Sequence, residues 1–177
     1  MKGIKGFSLI ELMVVIAIIS LLTAIAVPMF LGQREKARVR TTESSAKGAV
    51  SELQEFIDWY SASEPYMILI DSAGTQGCFE ADNAAGSGKA CTAAFNQTSA
   101  GTYAAFPGGL TTVISHFISH RTFKGDVSAY SGSSLFVTAS AADGQILLST
   151  SGSRAVAILA YATNSTLPVF SQIVSTR

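Results

Sequence analysis

Polar side chains are almost missing from one stretch near the start of the chain. From Phe7 to Val27, 21 residues, the only ones are Ser8, Glu11, Ser20 and Thr23. This matches the ~20 residues a helix needs to cross a bilayer. A helix apolar on every side must bury against lipid or against other copies of itself. Small residues such as Ala17, Ala24 and Ala26 let such helices approach closely. Further on the pattern changes but stays helical. Ala46, Val50, Leu53, Ile57 and Tyr60 recur at spacings of four and three, with Ala49 and Phe56 beside them, which predicts one apolar stripe. Glu43, Lys47, Glu52, Glu55 and Asp58 fall on the opposite, solvated face. Glu64-Pro65 is a stop signal, because proline pushes the preceding residue out of helical geometry. The prediction is one helix from Phe7 to about Tyr60, kinked at Pro28, which lacks an N–H, and weakened again at Gly32.

Beyond the helix, residues 61–110 are dense in Gly, Ala, Ser and Thr. They read as a long loop with a short strand at Tyr66–Ile70. From Ser134 the pattern turns strand-like. Ser134–Ser140 and Gln145–Thr150 flank Ala142-Asp143-Gly144, and Asp-Gly is a hairpin signal. Arg154–Ala162 and Val169–Val174 read as two more strands. The expected fold class is α+β: a long kinked N-terminal helix, with an apolar transmembrane first half and an amphipathic second half, packed on a C-terminal antiparallel β-sheet.

Composition adds little beyond this pattern. Lys+Arg and Asp+Glu are both 12 in 177 residues, so no basic excess points to nucleic acid. Two lysines, Lys2 and Lys5, precede the apolar segment and place the N-terminus in the cytoplasm and the rest outside. The basic cluster Arg34, Lys36, Arg38 and Arg40 on the far side pulls the other way and reads as a solvated face or an intersubunit charge partner. The cysteines are two, Cys78 and Cys91. Such a pair suggests a disulfide in an exported domain and two free thiols in a cytosolic one; the exported orientation favours the bridge.

A search for chemistry finds no enzyme and no catalytic residue. His116 and His120 have the four-residue spacing of two ligands on one helix face, but Phe117 and the lack of a third ligand remove the zinc-peptidase pattern. They read as solvated or loop-packing. Glu80, Asp82 and Asn83 gather oxygen ligands of the kind calcium takes, although acidic residues in a polar loop are ordinarily solvated. The sequons at Asn96 and Asn164 read as chance, and Gly86-Ser-Gly88 is too short to cradle phosphate. No cofactor, metal or nucleic-acid site is expected.

Three readings of the N-terminal segment compete. A cleaved secretory signal has a shorter core and a small-residue cut site, which Pro28-Met29-Phe30 is not. A plain anchor fits the length, with Glu11 near its cytoplasmic end reaching the headgroups. The third reading rests on Gly6-Phe7-Ser8-Leu9-Ile10-Glu11 and the apolar run after it. This stretch resembles the class III leader of type IV prepilins over roughly the first thirty residues, including Pro28 and an aromatic at Phe30. Ser20 stands where glycine is common in that family.

The resemblance implies three parts. Residues 1–6 are a leader cut after Gly6 by a membrane-embedded prepilin peptidase, which also N-methylates Phe7. Residues 7–60 are the long helix, of which 7–27 span the membrane and later form a filament core. Residues 61–177 are a globular head carrying the disulfide, here further from the C-terminus than is commonest in the family. Glu11 would pair with the new amine of Phe7 on a neighbouring subunit, and the region of Pro28 and Gly32 would extend in the filament. The implied function is the structural subunit of a type IV pilus. Its partners would be copies of itself in a helical homopolymer, the peptidase, and an inner-membrane platform with its ATPase. The chain would sit in the inner membrane before assembly and in the extracellular pilus after it, serving motility, adhesion or DNA uptake. Alternatives are a minor pilin, a type II secretion pseudopilin, or an anchored exported binding domain that never polymerises.

Overall fold

The computed structural model describes residues 6–81, 89–103, 109–139, 141–162 and 166–176. The chain forms two compact units, Met1–Ala37 and Arg38–Arg177. The first holds the start of helix α1 (Leu9–Ser61); the second holds its remainder and all other elements. The long helix and its end near Tyr60 follow the sequence pattern, and Pro28 lies inside the helix.

In the second unit the buried residues of α1 are Thr42, Ala46, Ala49, Leu53, Phe56, Ile57 and Tyr60. This is the predicted stripe, except that Val50 is only partly buried, extended one turn back by Thr42, whose hydroxyl donates to the Arg38 carbonyl at 3.2 Å. That bond lets a hydroxyl sit in the core at little cost.

The segment after α1 is far more structured than its composition suggests. It contains β1 (Tyr66–Leu69), β2 (Gln76–Ala81), α2 (Cys91–Phe95) and β3 (Ser99–Tyr103), followed by α3 (Leu110–Phe123). The strands form a sheet of order β1-β2-β3, antiparallel between β1 and β2 and parallel between β2 and β3. The predicted long loop is therefore corrected to a small sheet and one short helix, with the expected strand at Tyr66–Ile70 present as β1. Two of its glycines serve packing: a Cβ at Gly77 or Gly101 would meet the Phe79 ring at 3.1 Å. The expected bridge is present, joining Cys78 in β2 to Cys91, the first residue of α2. Both cysteines are buried. The sequence separation is 13, and closing such a loop contributes ~3 kcal/mol in the chain-entropy account. Replacing both cysteines by serine should lower unfolding stability by about that amount, read as an earlier urea midpoint, with a slope that rises as the freed unfolded chain expands.

The C-terminal half forms the second sheet, of order β4-β5-β6-β7. Its strands are β4 (Phe136–Val137), β5 (Ile146–Thr150), β6 (Ala155–Ala160) and β7 (Phe170–Ser175). Strands β5, β6 and β7 pair antiparallel. The α+β class with a mostly antiparallel sheet thus holds. The hairpin expected at Asp143-Gly144 does not form, because β4 lies parallel to β5 with Phe136 opposite Ile146. Asp-Gly instead makes a tight turn, closed by the Gln145 N–H on the Ala142 carbonyl at 3.0 Å. Gly144 takes φ +72°, and the Tyr130 ring occupies the space a Cβ would need. The buried Gln145 side chain holds the crossing, donating to the Ser134 carbonyl at 2.9 Å and accepting from the Ala142 N–H at 2.8 Å. Both sheets, α3 and the α1 stripe contribute to one hydrophobic core.

Candidate functional site: the exposed apolar helix

Gly6, Phe7 and Ser8 precede the first turn of α1. From Phe7 to Leu31 the large apolar side chains stand in the open, from 45% exposed at Val15 to 79% at Phe7. Soluble chains rarely leave so large a continuous apolar surface uncovered. Among the described residues this is the one helix long and apolar enough to cross a membrane.

The few polar groups in this segment find partners within the helix. The Ser20 hydroxyl donates to the Ile16 carbonyl at 2.7 Å, and the Thr23 hydroxyl to that of Ile19 at 2.9 Å. Such back-bonding satisfies a hydroxyl where no water is available. The Glu11 carboxylate accepts the Ser8 N–H at 2.9 Å. Ser8-Leu9-Ile10-Glu11 therefore has the spacing and half the bonding of a capping box, in which an acidic residue three positions in reaches back to a free N–H at the helix start. A negative charge there also faces the positive end of the helix dipole. The S-x-x-E spacing carries this information, although in the sequence it reads only as part of the leader.

Of the other candidate residues, Pro28, Gly32, Arg34 and Lys36 lie in the first unit and the rest in the second or outside the described residues. The described residues contain no group of three or more His, Cys, Asp or Glu that could hold a metal ion. Glu80 accepts the Cys91 N–H at 2.8 Å and so tethers the start of α2. Asp82, Asn83, Gly86, Gly88 and Asn164 lie outside the described residues, as do Met1 to Lys5 of the leader. Of the basic cluster, the Arg38 guanidinium lies over the Tyr130 ring at 5.1 Å, a cation–π contact.

His116 and His120, expected to be solvated or loop-packing, are packed within the fold, but from a helix, α3, rather than from a loop. The His116 ring meets Phe79 edge-on at 4.2 Å between centroids and also contacts the Tyr103 hydroxyl. Burial pushes its pKa down to about 4. Glu52 likewise departs from the solvated face that helical phase assigns it. It is partly buried and holds Arg121 at 2.6 Å, His120 at 3.2 Å and Lys124 at 3.5 Å. Arg121 in turn lies 2.5 Å from Asp126.

The match to a family model falls in the first unit. Residues 1–27 match the family model of the prokaryotic N-terminal methylation motif. Two fimbrial proteins of Pseudomonas aeruginosa are each 39% identical to this chain over 64 residues, covering 32% of this chain and 42% of the relative. The chain therefore matches less than half the length of these curated relatives. No solved structure matches it. The chain carries the N-terminal methylation motif of prokaryotic prepilins on an apolar, membrane-length helix, ahead of an α+β head. With the fimbrial relatives, this supports a type IV pilin, a structural rather than enzymatic class of protein.

Proposed function

We propose that the chain is the structural subunit of a type IV pilus, cut between Gly6 and Phe7, N-methylated at Phe7 and polymerised through α1. The observation that carries this reading is the uninterrupted exposed apolar surface from Phe7 to Leu31, in a segment that matches a methylation motif. Such a surface exchanges lipid for neighbouring helices without any covalent chemistry. Residues 1–6 are then the leader, 7–60 the helix and 61–177 the head. The chain waits in the inner membrane and passes into an extracellular filament by way of an assembly platform and its ATPase.

Glu11 is the assembly residue in this proposal. Before polymerisation its carboxylate caps its own helix through Ser8; cleavage then creates a cation, the Phe7 amine, four residues away. Transfer of the carboxylate to the amine of a neighbouring chain pairs both charges in an apolar surround, where an unpaired charge is costly. Pro28 and Gly32 mark where α1 bends or extends on packing, since proline has no N–H to lose and glycine is a weak helix former.

Mass spectrometry of the mature chain tests the proposal. The expected N-terminus is Phe7 with one added methyl group. An intact Met1, or a start at any other residue, overturns the pilin reading in favour of a plain anchored domain.

A further inference from the structure

His120 uses both ring nitrogens. Its Nδ1 accepts the Leu69 N–H of β1 at 2.9 Å, and its Nε2 lies 3.2 Å from a Glu52 oxygen on α1. An N–H can point at Nδ1 only if that nitrogen carries a lone pair, so the ring is neutral with its proton on Nε2. One turn earlier on α3, His116 is wedged among Tyr66 of β1, Phe79 of β2 and Tyr103 of β3. Both histidines thus join α3 to the disulfide-bearing sheet, and His120 also joins it to α1.

We infer that this pair is an acid-sensitive latch: protonation of His120 and His116 releases α3 from the β1-β2-β3 sheet. A proton on Nδ1 would set two N–H groups against each other at Leu69. The groups facing His120 do not welcome a further cation. Glu52 from α1 is already shared by Arg121 of α3 and by Lys124 just past its end, and Asp126 is engaged by Arg121. The Phe56 ring covers another side at 5.9 Å. The described groups facing His116 are the Tyr66 and Phe79 rings and the Tyr103 ring with its hydroxyl, none of which balances a positive charge.

The chemistry of burial agrees. Desolvation lowers the pKa of His120, with Lys124 and Arg121 adding to the lowering and Glu52 opposing it. His116 falls from 6.5 to about 4. Each histidine therefore binds its proton more readily when released. The stability they protect is present above about pH 6.5 and is lost as the pH falls below it, for His116 toward about 4.

Trp59, the sole tryptophan of the chain, lies 5.7 Å from Phe56 and reports on the latch. The full-length chain in zwitterionic detergent micelles is titrated from pH 7.5 to 4, following Trp59 emission and hydrogen exchange at the Leu69 amide. The expected result is a reversible change in emission between about pH 6.5 and 4 and about tenfold or greater loss of Leu69 protection. In the double variant His116→Phe, His120→Gln the midpoint should fall by about one pH unit or more. Glutamine still offers a carbonyl to Leu69 and an N–H to Glu52, but takes no proton. An unchanged midpoint assigns the transition to carboxylates and overturns the inference, as does an absence of any transition above pH 4. Should the variant not fold, nitrogen NMR of His120 in the unaltered chain decides: a proton on Nδ1 at pH 7 overturns the latch, and a bare Nδ1 supports it.

Discussion

Replacing Glu11 with alanine should leave cleavage before Phe7 intact and reduce surface filaments at least about tenfold. In lipid, the carboxylate is a burden. A charged group at the centre of a membrane helix costs about 2.5–3.5 kcal/mol on insertion scales, and less near an end. The cap on Ser8 offsets part of that and contributes about 0.5–2 kcal/mol to the first turn, by analogy with other caps. Alanine therefore removes a cost and a modest benefit together, so the anchored precursor should persist. In the proposed filament the balance reverses. Without Glu11 the methylated amine of Phe7 enters an apolar core unpaired, and breaking one partner of a buried pair is typically worth several kcal/mol. A loss of only about 1.4 kcal/mol per subunit already changes an association constant tenfold. The readouts are the mass of the mature N-terminus and the protein in a sheared surface fraction, with filaments counted by electron microscopy. Filaments at the unaltered yield, with normal processing, would remove Glu11 from assembly while leaving the leader reading intact.

The parts of this fold that depend on local periodicity are legible in the sequence. The α1 stripe from Ala46 to Tyr60 is the simplest case, since buried positions on one helix must recur every three to four residues. Strands β5, β6 and β7 are also visible, as runs of apolar residues separated by turn chemistry. What escapes depends on partners distant in the chain. Gly77 and Gly101 look like loop residues, yet each lies in a strand beside the Phe79 ring. The Asp143-Gly144 signal is genuine as a turn, but its direction is set by Tyr130 and by the Gln145 side chain, neither of which the dipeptide encodes. Glu52 is the clearest lesson for the site. Helical phase puts it among solvated acids, and only the arrival of α3, with His120, Arg121 and Lys124, gives it partners. The leader motif is the opposite case, contiguous in sequence and therefore readable without any fold.

Truncating Phe117 to alanine should produce the largest stability loss of any single change considered, about 3–5 kcal/mol. The side chain is fully buried on α3. Its ring meets Phe56 of α1 edge-to-face at 5.7 Å and 87°, and Phe136 of β4 at 5.5 Å and 84°. One ring therefore links the long helix, the short helix and the second sheet. Edge-to-face pairs contribute ~0.5–1.5 kcal/mol beyond burial alone, and here two are lost at once. The surrounding framework limits collapse into the space left behind: α1 is held by the other buried residues of its stripe, and β4 is a two-residue strand fixed in register opposite Ile146. A cavity that cannot close keeps its full cost. Urea unfolding of the full chain in micelles, followed by Trp59 emission, measures the effect. Phe123→Ala at the end of the same helix, where the ring is 39% exposed, should cost about 1 kcal/mol or less. Equal losses at the two positions would mean that the aromatic joint contributes no more than an exposed ring, since alanine is the better helix former at both. A loss confined to Phe117 would locate the joint in the ring that touches both Phe56 and Phe136.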